Sequence, residues 1–204
     1  MPVRPKLKLG FLASHGGSGM RAVLAAIKAG ELNAEARILV TNNPGSAAAS
    51  AADAAGLPWR HVSATSAGGT EAADLQIAET LTEAGAGVVV LSGYMRKLGP
   101  QTLQRFAGRI LNIHPALLPR HGGAGLYGRH VHEAVHASGD AVTGATVHLV
   151  ESDYDTGPII AQAKAPVQPG DTVDDIEARV RALEPGLLVD TLRRIADGEL
   201  KLPG

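Results

Sequence analysis

The sequence predicts an α/β fold, a doubly wound and mostly parallel sheet flanked by helices within one domain. Three observations predict it. Short apolar runs alternate with helix-patterned segments along the first half of the chain, the signature of strand–helix–strand units. Runs such as Val88-Val89-Val90-Leu91 are apolar at every position rather than at alternate ones, as strands covered on both faces are. No linker-like stretch divides the chain into separately packed parts.

Leu7–Ala13 is the first buried strand. It runs into the glycine-rich turn His15-Gly16-Gly17-Ser18-Gly19 and a helix over 20–29. A second strand over 36–40 ends at Thr41-Asn42-Asn43-Pro44-Gly45, a turn-forming cluster. The alanine-rich segment 47–55 follows as a helix, because Ala has the highest helix propensity. A short strand over 59–62, a helix over 72–83, a buried strand over 87–92 and a helix over 100–106 continue the alternation to a strand over 109–114. Beyond Pro115 the texture changes. Residues 119–128 are a glycine-rich loop, 131–137 spans a helical turn or two, and 145–150 and 158–165 are strands with too little chain between them for a helix. The segment 174–196 is a long amphipathic stretch that Pro185 is expected to interrupt.

With 204 residues, 45% hydrophobic and 19% charged, the chain can bury a core of ordinary size. The absence of cysteine removes disulfides, thiolate metal sites, iron–sulfur clusters and cysteine nucleophiles. A net charge of −1 lacks the basic excess of a dedicated nucleic-acid binder. No run reaches the roughly 18 apolar residues of a membrane span. The opening Met-Pro-Val-Arg-Pro-Lys is basic, but the apolar stretch behind it is too short for a signal peptide, so a cytoplasmic protein without nucleic-acid or membrane partners is expected. No heptad or repeat specifies an oligomeric state.

Several motifs carry chemistry, and each has a plainer alternative. The turn Ser14-His15-Gly16-Gly17-Ser18-Gly19 leads a strand into a helix, where backbone N–H groups and the helix dipole can hold a phosphate. It also fits a tight turn without a ligand. Asn112 and His114 alternate onto one side of a strand end, pairing an amide donor with an imidazole acid or base; a histidine there can equally be structural. The loop Glu151-Ser152-Asp153-Tyr154-Asp155 is either a solvated turn or the source of a carboxylate that orients His114 and raises its pKa. His132-Glu133-Ala134-Val135-His136 matches the H-E-x-x-H string of zinc peptidases. Val142 stands where a third ligand of the metzincin type would fall, so a zinc metallopeptidase and a non-catalytic nucleotide-binding module remain the rival readings.

Taken together, Val88 to Leu98 (V-V-V-L-S-G-Y-M-R-K-L), Leu111 to Pro119 (L-N-I-H-P-A-L-L-P), Thr143 to His148 (T-G-A-T-V-H) and Asp155 to Gln162 (D-T-G-P-I-I-A-Q) resemble the phosphoribosylglycinamide formyltransferase family, folate-dependent enzymes of purine synthesis. The order and spacing of these blocks are far more selective than any one of them. The resemblance runs from Leu9 to about Leu200 and implies a Rossmann-like formyltransferase domain over 1–204, with a phosphate-binding half at about 1–110 and a catalytic and folate-binding half at about 111–204. It implies transfer of the formyl group of 10-formyltetrahydrofolate to the amine of glycinamide ribonucleotide, by direct attack through a tetrahedral intermediate and without a metal. By position, Asn112, His114 and Asp155 would be catalytic, and Gly17, Ser18 and Gly19 would hold the substrate phosphate. Glu184 would contact the ribotide, and Met95, Arg96, Lys97 and Leu98 with Glu151, Ser152, Asp153 and Tyr154 would frame the folate. His148 matches a family histidine near the reacting centre. Gly19 stands where the family commonly has Asn, and Thr70 where some members have an Arg associated with the folate. Methionyl-tRNA formyltransferase and formyltetrahydrofolate deformylase share the core but carry extra domains, for which this chain is expected to lack the length.

Overall fold

The computed structural model describes residues 4–203; residues 1–3 of the basic opening and Gly204 lie outside them. The alternation expected from the sequence is present as β1 (Leu7–Ala13), α1 (Ser18–Ala29), β2 (Ala34–Thr41), α2 (Ala47–Ala55), β3 (Trp59–His61), α3 (Ala64–Ala67), α4 (Thr70–Glu83), β4 (Val88–Leu91), α5 (Pro100–Arg105) and β5 (Ile110–His114). The second part adds α6 (Arg129–Ser138), β6 (Val142–Leu149), β7 (Ile159–Pro166) and α7 (Val173–Ala196). One seven-stranded sheet takes the order β3-β2-β1-β4-β5-β6-β7. Strands β1 to β5 pair in parallel, whereas β6 is antiparallel to both β5 and β7. The short chain between β6 and β7 leaves no room for a crossover helix, so antiparallel pairing is the available geometry.

Two apolar layers cover the sheet. Leu9, Phe11, Val90 and Leu111 pack with Met20, Val23, Leu188 and Leu192 of α1 and α7 on one face. Leu12, Val40, Val89 and Ile110 pack with Ile77, Leu81 and Phe106 on the other. Side chains that alternate along one strand therefore reach both layers, which is why these strands read as continuous apolar runs. Strand order reverses direction at β1, whose neighbours are β2 and β4. The crevice at such a switch point, beyond the carboxyl ends of the strands, is where open α/β sheets bind ligands.

Pro185 does not interrupt the last helix. α7 runs unbroken from Val173 to Ala196 with Pro185 inside it. A proline there removes one helical hydrogen bond at a cost of about 3 kcal/mol. Burial of Ile176, Val180, Leu188 and Leu192 on one face, with a Thr172–Asp175 capping box, offsets that cost. The four-residue α3, started by a reciprocal Ser63–Ser66 cap, has no apolar periodicity by which a sequence could announce it.

Candidate active site

The loops after β1 and β4 meet at the switch point. Gly17 caps α1 with φ 59°, the left-handed conformation that glycine adopts without steric cost. Gly17 has no side chain to cap the helix, and of the first-turn donors the Met20 N–H goes to Ser92 Oγ at the end of β4. Ser18 is exposed while Gly17 and Gly19 are buried. A side chain at position 19 has no space: its Cβ would lie 2.9 Å from Leu188 Cδ2 and 3.2 Å from Ser92 Oγ. Glycine at this position thus lets α1 lie close against Leu188 of α7. Ser14 ties the same loops together, donating to Asn42 Oδ1 at 2.6 Å and accepting the Met95 N–H at 2.8 Å.

The segments expected to frame a folate lie together. Met95, Arg96 and Lys97 are exposed, as are Glu151, Ser152, Asp153 and Tyr154. The Lys97 ammonium sits 5.5 Å from the centre of the Tyr154 ring, a cation–π contact joining the two segments. Leu98 differs. Its side chain packs in the core with Leu91 and Phe106, so it anchors the loop and offers only backbone to a ligand.

At the end of β5, Asn112, His114, His148 and Asp155 converge. The β5–β6 register sets Asn112 opposite His148. His148 Nδ1 donates to the Leu149 carbonyl at 2.8 Å, so in the neutral ring Nε2 accepts the Asn112 amide N–H at 3.1 Å. Asp155 reaches back from the β6–β7 loop, its Oδ2 3.5 Å from His114 Nδ1 and its Oδ1 3.5 Å from His148 Nε2. The Gly123 N–H donates to the same Oδ2 at 3.0 Å. Asp155 has φ 56°, so the loop turns sharply where it delivers this carboxylate.

Burial pushes the Asp155 carboxyl up, but contact with His148, the Gly123 N–H and the nearby His114 outweigh it and hold the group below its ordinary value. For His114, burial acts downward and exceeds the upward pull of Asp155, so its pKa is lowered rather than raised as the sequence reading expected. The result is an ionised carboxylate beside a neutral imidazole. Such a pair takes up a proton with little reorganisation, because the charge that stabilises the imidazolium is already in place.

Glu184, half-buried on α7, is pushed up to about 7, chiefly by burial, with Arg181 pulling it down and Glu177 adding to the rise. The histidines of the H-E-x-x-H string are split. His132 is buried and its Nδ1 has no hydrogen-bond partner, whereas His136 is exposed. Among the described residues no group of three His, Asp or Glu side chains is arranged to hold a metal ion. His132 lies in the electrostatic reach of His114, Glu177 and Arg181.

Sequence reasoning did not single out His121, whose backbone carbonyl accepts the His114 Nε2–H at 2.8 Å, or Asp140, which holds the His121 ring at 2.7 Å. A contact made by a backbone carbonyl leaves no residue-type signature.

The family profile described as Formyl transferase matches residues 7–192. Phosphoribosylglycinamide formyltransferase of Escherichia coli is 36% identical over 191 residues, covering 94% of this chain and 88% of that protein. Phosphoribosylglycinamide formyltransferase of Haemophilus influenzae is 32% identical, covering 96% of this chain and 90% of that protein. The crystal structure of glycinamide ribonucleotide transformylase 1 from Symbiobacterium toebii superposes with a TM-score of 0.89 at 33% identity, covering 98% of this chain and 92% of that one.

Proposed function

The chain belongs to the formyl transferase family, and from that premise we propose how its cleft moves a formyl group onto the amine of glycinamide ribonucleotide. Its relatives in that family are phosphoribosylglycinamide formyltransferases, and formyl transfer in purine biosynthesis is the activity the family carries. The donor we assign is 10-formyltetrahydrofolate, seated between the exposed 95–97 and 151–154 segments. The ribotide phosphate lies at the N-terminus of α1, where uncapped N–H groups and the helix dipole favour an anion. Glu184 contacts the ribotide.

The lone pair of the ribotide amine attacks the formyl carbon, and the carbonyl π pair moves onto oxygen. Asn112 uses one amide N–H on His148 and has a second for that oxyanion. One such donor is typically worth about 10²–10³ in rate. The attacking nitrogen gives its proton to His114 Nδ1, and Asp155 stabilises the imidazolium that forms. The oxyanion pair then re-forms the carbonyl as the bond from the formyl carbon to the folate nitrogen breaks, its electron pair staying on that nitrogen, which takes the proton from His114. The products are the formamide of the ribotide and tetrahydrofolate. Acid–base help of this kind is worth about 10²–10⁴, and holding both substrates in one cleft adds the advantage of proximity.

The observation that carries this reading is the convergence of Asn112, His114, His148 and Asp155 at one strand end, with no third ligand beside His132 and His136 among the described residues. The test is a transfer assay with both substrates and with each omitted. Formyl-ribotide and tetrahydrofolate in equal amounts, only when both substrates are present, are expected. Release of formate without the ribotide would refute it.

A further inference from the structure

The loop that leaves His114 returns to it. Thr146 Oγ1 donates to the Ala116 carbonyl at 2.6 Å and accepts the Leu118 N–H at 3.1 Å, and the Gln162 amide donates to the Leu118 carbonyl at 3.0 Å. Beyond these contacts Asp140, at the junction of α6 and β6, accepts from His121 Nε2 at 2.7 Å and pairs with Arg120 at 2.6 Å. The segment from 116 to 121 is therefore held at both ends by side chains of other elements. At its far end His121 has φ 55°, a conformation rare for residues with a side chain. That conformation presents its backbone carbonyl to His114 Nε2 at 2.8 Å.

A carbonyl can only accept, so the ring nitrogen facing it must carry a hydrogen. In a neutral imidazole the other nitrogen then holds the lone pair. His114 Nδ1 lies 3.5 Å from Asp155 Oδ2, longer than an ordinary hydrogen bond, so this nitrogen is not committed as a donor to the carboxylate, which nonetheless stands close enough to stabilise a proton arriving there. Burial keeps the ring neutral near pH 7. We propose that His121 is a positioning residue: held by Asp140 in its left-handed conformation, it fixes His114 as the Nε2–H tautomer through its backbone carbonyl and makes Nδ1 the nitrogen that exchanges protons with the substrates. This rests on the reading of His114 as the reacting histidine. It assigns a role to the 120–121 segment and to Asp140 that neither contact with substrate nor residue type discloses.

The experiment is nitrogen-15 NMR of histidine-labelled protein at about pH 8, above the lowered pKa of His114, combined with steady-state kinetics of variants. The wild-type protein is expected to show His114 with Nε2 protonated and Nδ1 bare. His121→Val both removes the anchor and disfavours positive φ. It should lower kcat by about tenfold to a hundredfold, the effect of misplacing a reacting group by about an ångström, with both KM values changed less than about twofold. His121→Gly removes the anchor but adopts the left-handed conformation freely, so its loss of kcat should be smaller than that of His121→Val. Asp140→Asn supplies the kinetic arm if His121→Val fails to fold. A resting His114 with Nδ1 protonated overturns the proposal, as does wild-type kcat in a folded His121→Val or, failing that, in Asp140→Asn. Full transfer activity in His114→Gln would instead overturn the reading of His114 as the reacting base, an outcome separate from the tautomer result.

Discussion

Replacing Glu184 by Gln should uncouple ribotide binding from pH. Burial pushes this carboxyl from its ordinary 4.5 to about 7, with Arg181 and Glu177 the charged groups beside it. A carboxylate accepting hydrogen bonds from ribotide hydroxyls binds in its ionised form, and apparent affinity scales with the ionised fraction. With a pKa of about 7, that fraction is roughly 9% at pH 6 and roughly 91% at pH 8, so the wild-type Kd should fall about tenfold over this interval beyond any change intrinsic to the ribotide. The phosphate and amine of the ribotide titrate in both proteins, so the ratio of wild-type to Glu184→Gln Kd isolates the carboxyl. Equilibrium binding by calorimetry at several pH values is the assay. Stability gives an independent sign. A carboxyl whose pKa is raised on folding contributes stability that is complete below about 4.5 and is lost as pH rises towards 7. Glu184→Gln should therefore gain stability relative to wild type at pH 8, on the order of 1–3 kcal/mol by denaturant titration. A Kd ratio constant from pH 6 to 8, with no stability gain at pH 8, would refute the assignment of Glu184.

Ser18→Asp should raise the KM for the ribotide and leave the folate KM within about twofold, because it sets a carboxylate beside a phosphate; unchanged ribotide binding would move the phosphate elsewhere. Gly19→Asn should destabilise the protein by about 1–3 kcal/mol, seen as a lower melting temperature, because its Cβ meets the buried Leu188. His136→Ala should leave kcat within about twofold and activity insensitive to chelators, since this side chain is exposed and has no companion ligands among the described residues.

The doubly wound half of the fold was legible because its strands, buried on both faces, are uninterrupted apolar runs closed by turn residues. Pro185 misled because local helix breaking was weighed without the α1, β6 and β7 surfaces on which Leu188 and Leu192 pack. In the site, Asn112 and His114 were placed on one side of a strand by alternation alone. Asp155 was brought to them only by a resemblance, since 40 residues of loop, helix and strand separate it from His114 in the sequence. The direction of the His114 pKa depended on burial, which no residue pattern announces. The His121 carbonyl was invisible for a related reason: its contact depends on φ at one position and on a hydrogen bond from its ring to Asp140.

The central claim is that His114 and Asp155 act as one unit in formyl transfer, and a double-mutant cycle in kcat across pH tests it most directly. Asp155→Asn removes the upward pull on His114, so the acidic limb of the profile should move to lower pH while the plateau falls. His114→Ala should cost at least as much, about 10²-fold or more. In the double variant the loss should stay close to that of His114→Ala alone, because residues acting through one another do not contribute independently. Multiplicative losses, or wild-type kcat in Asp155→Asn, would contradict the account.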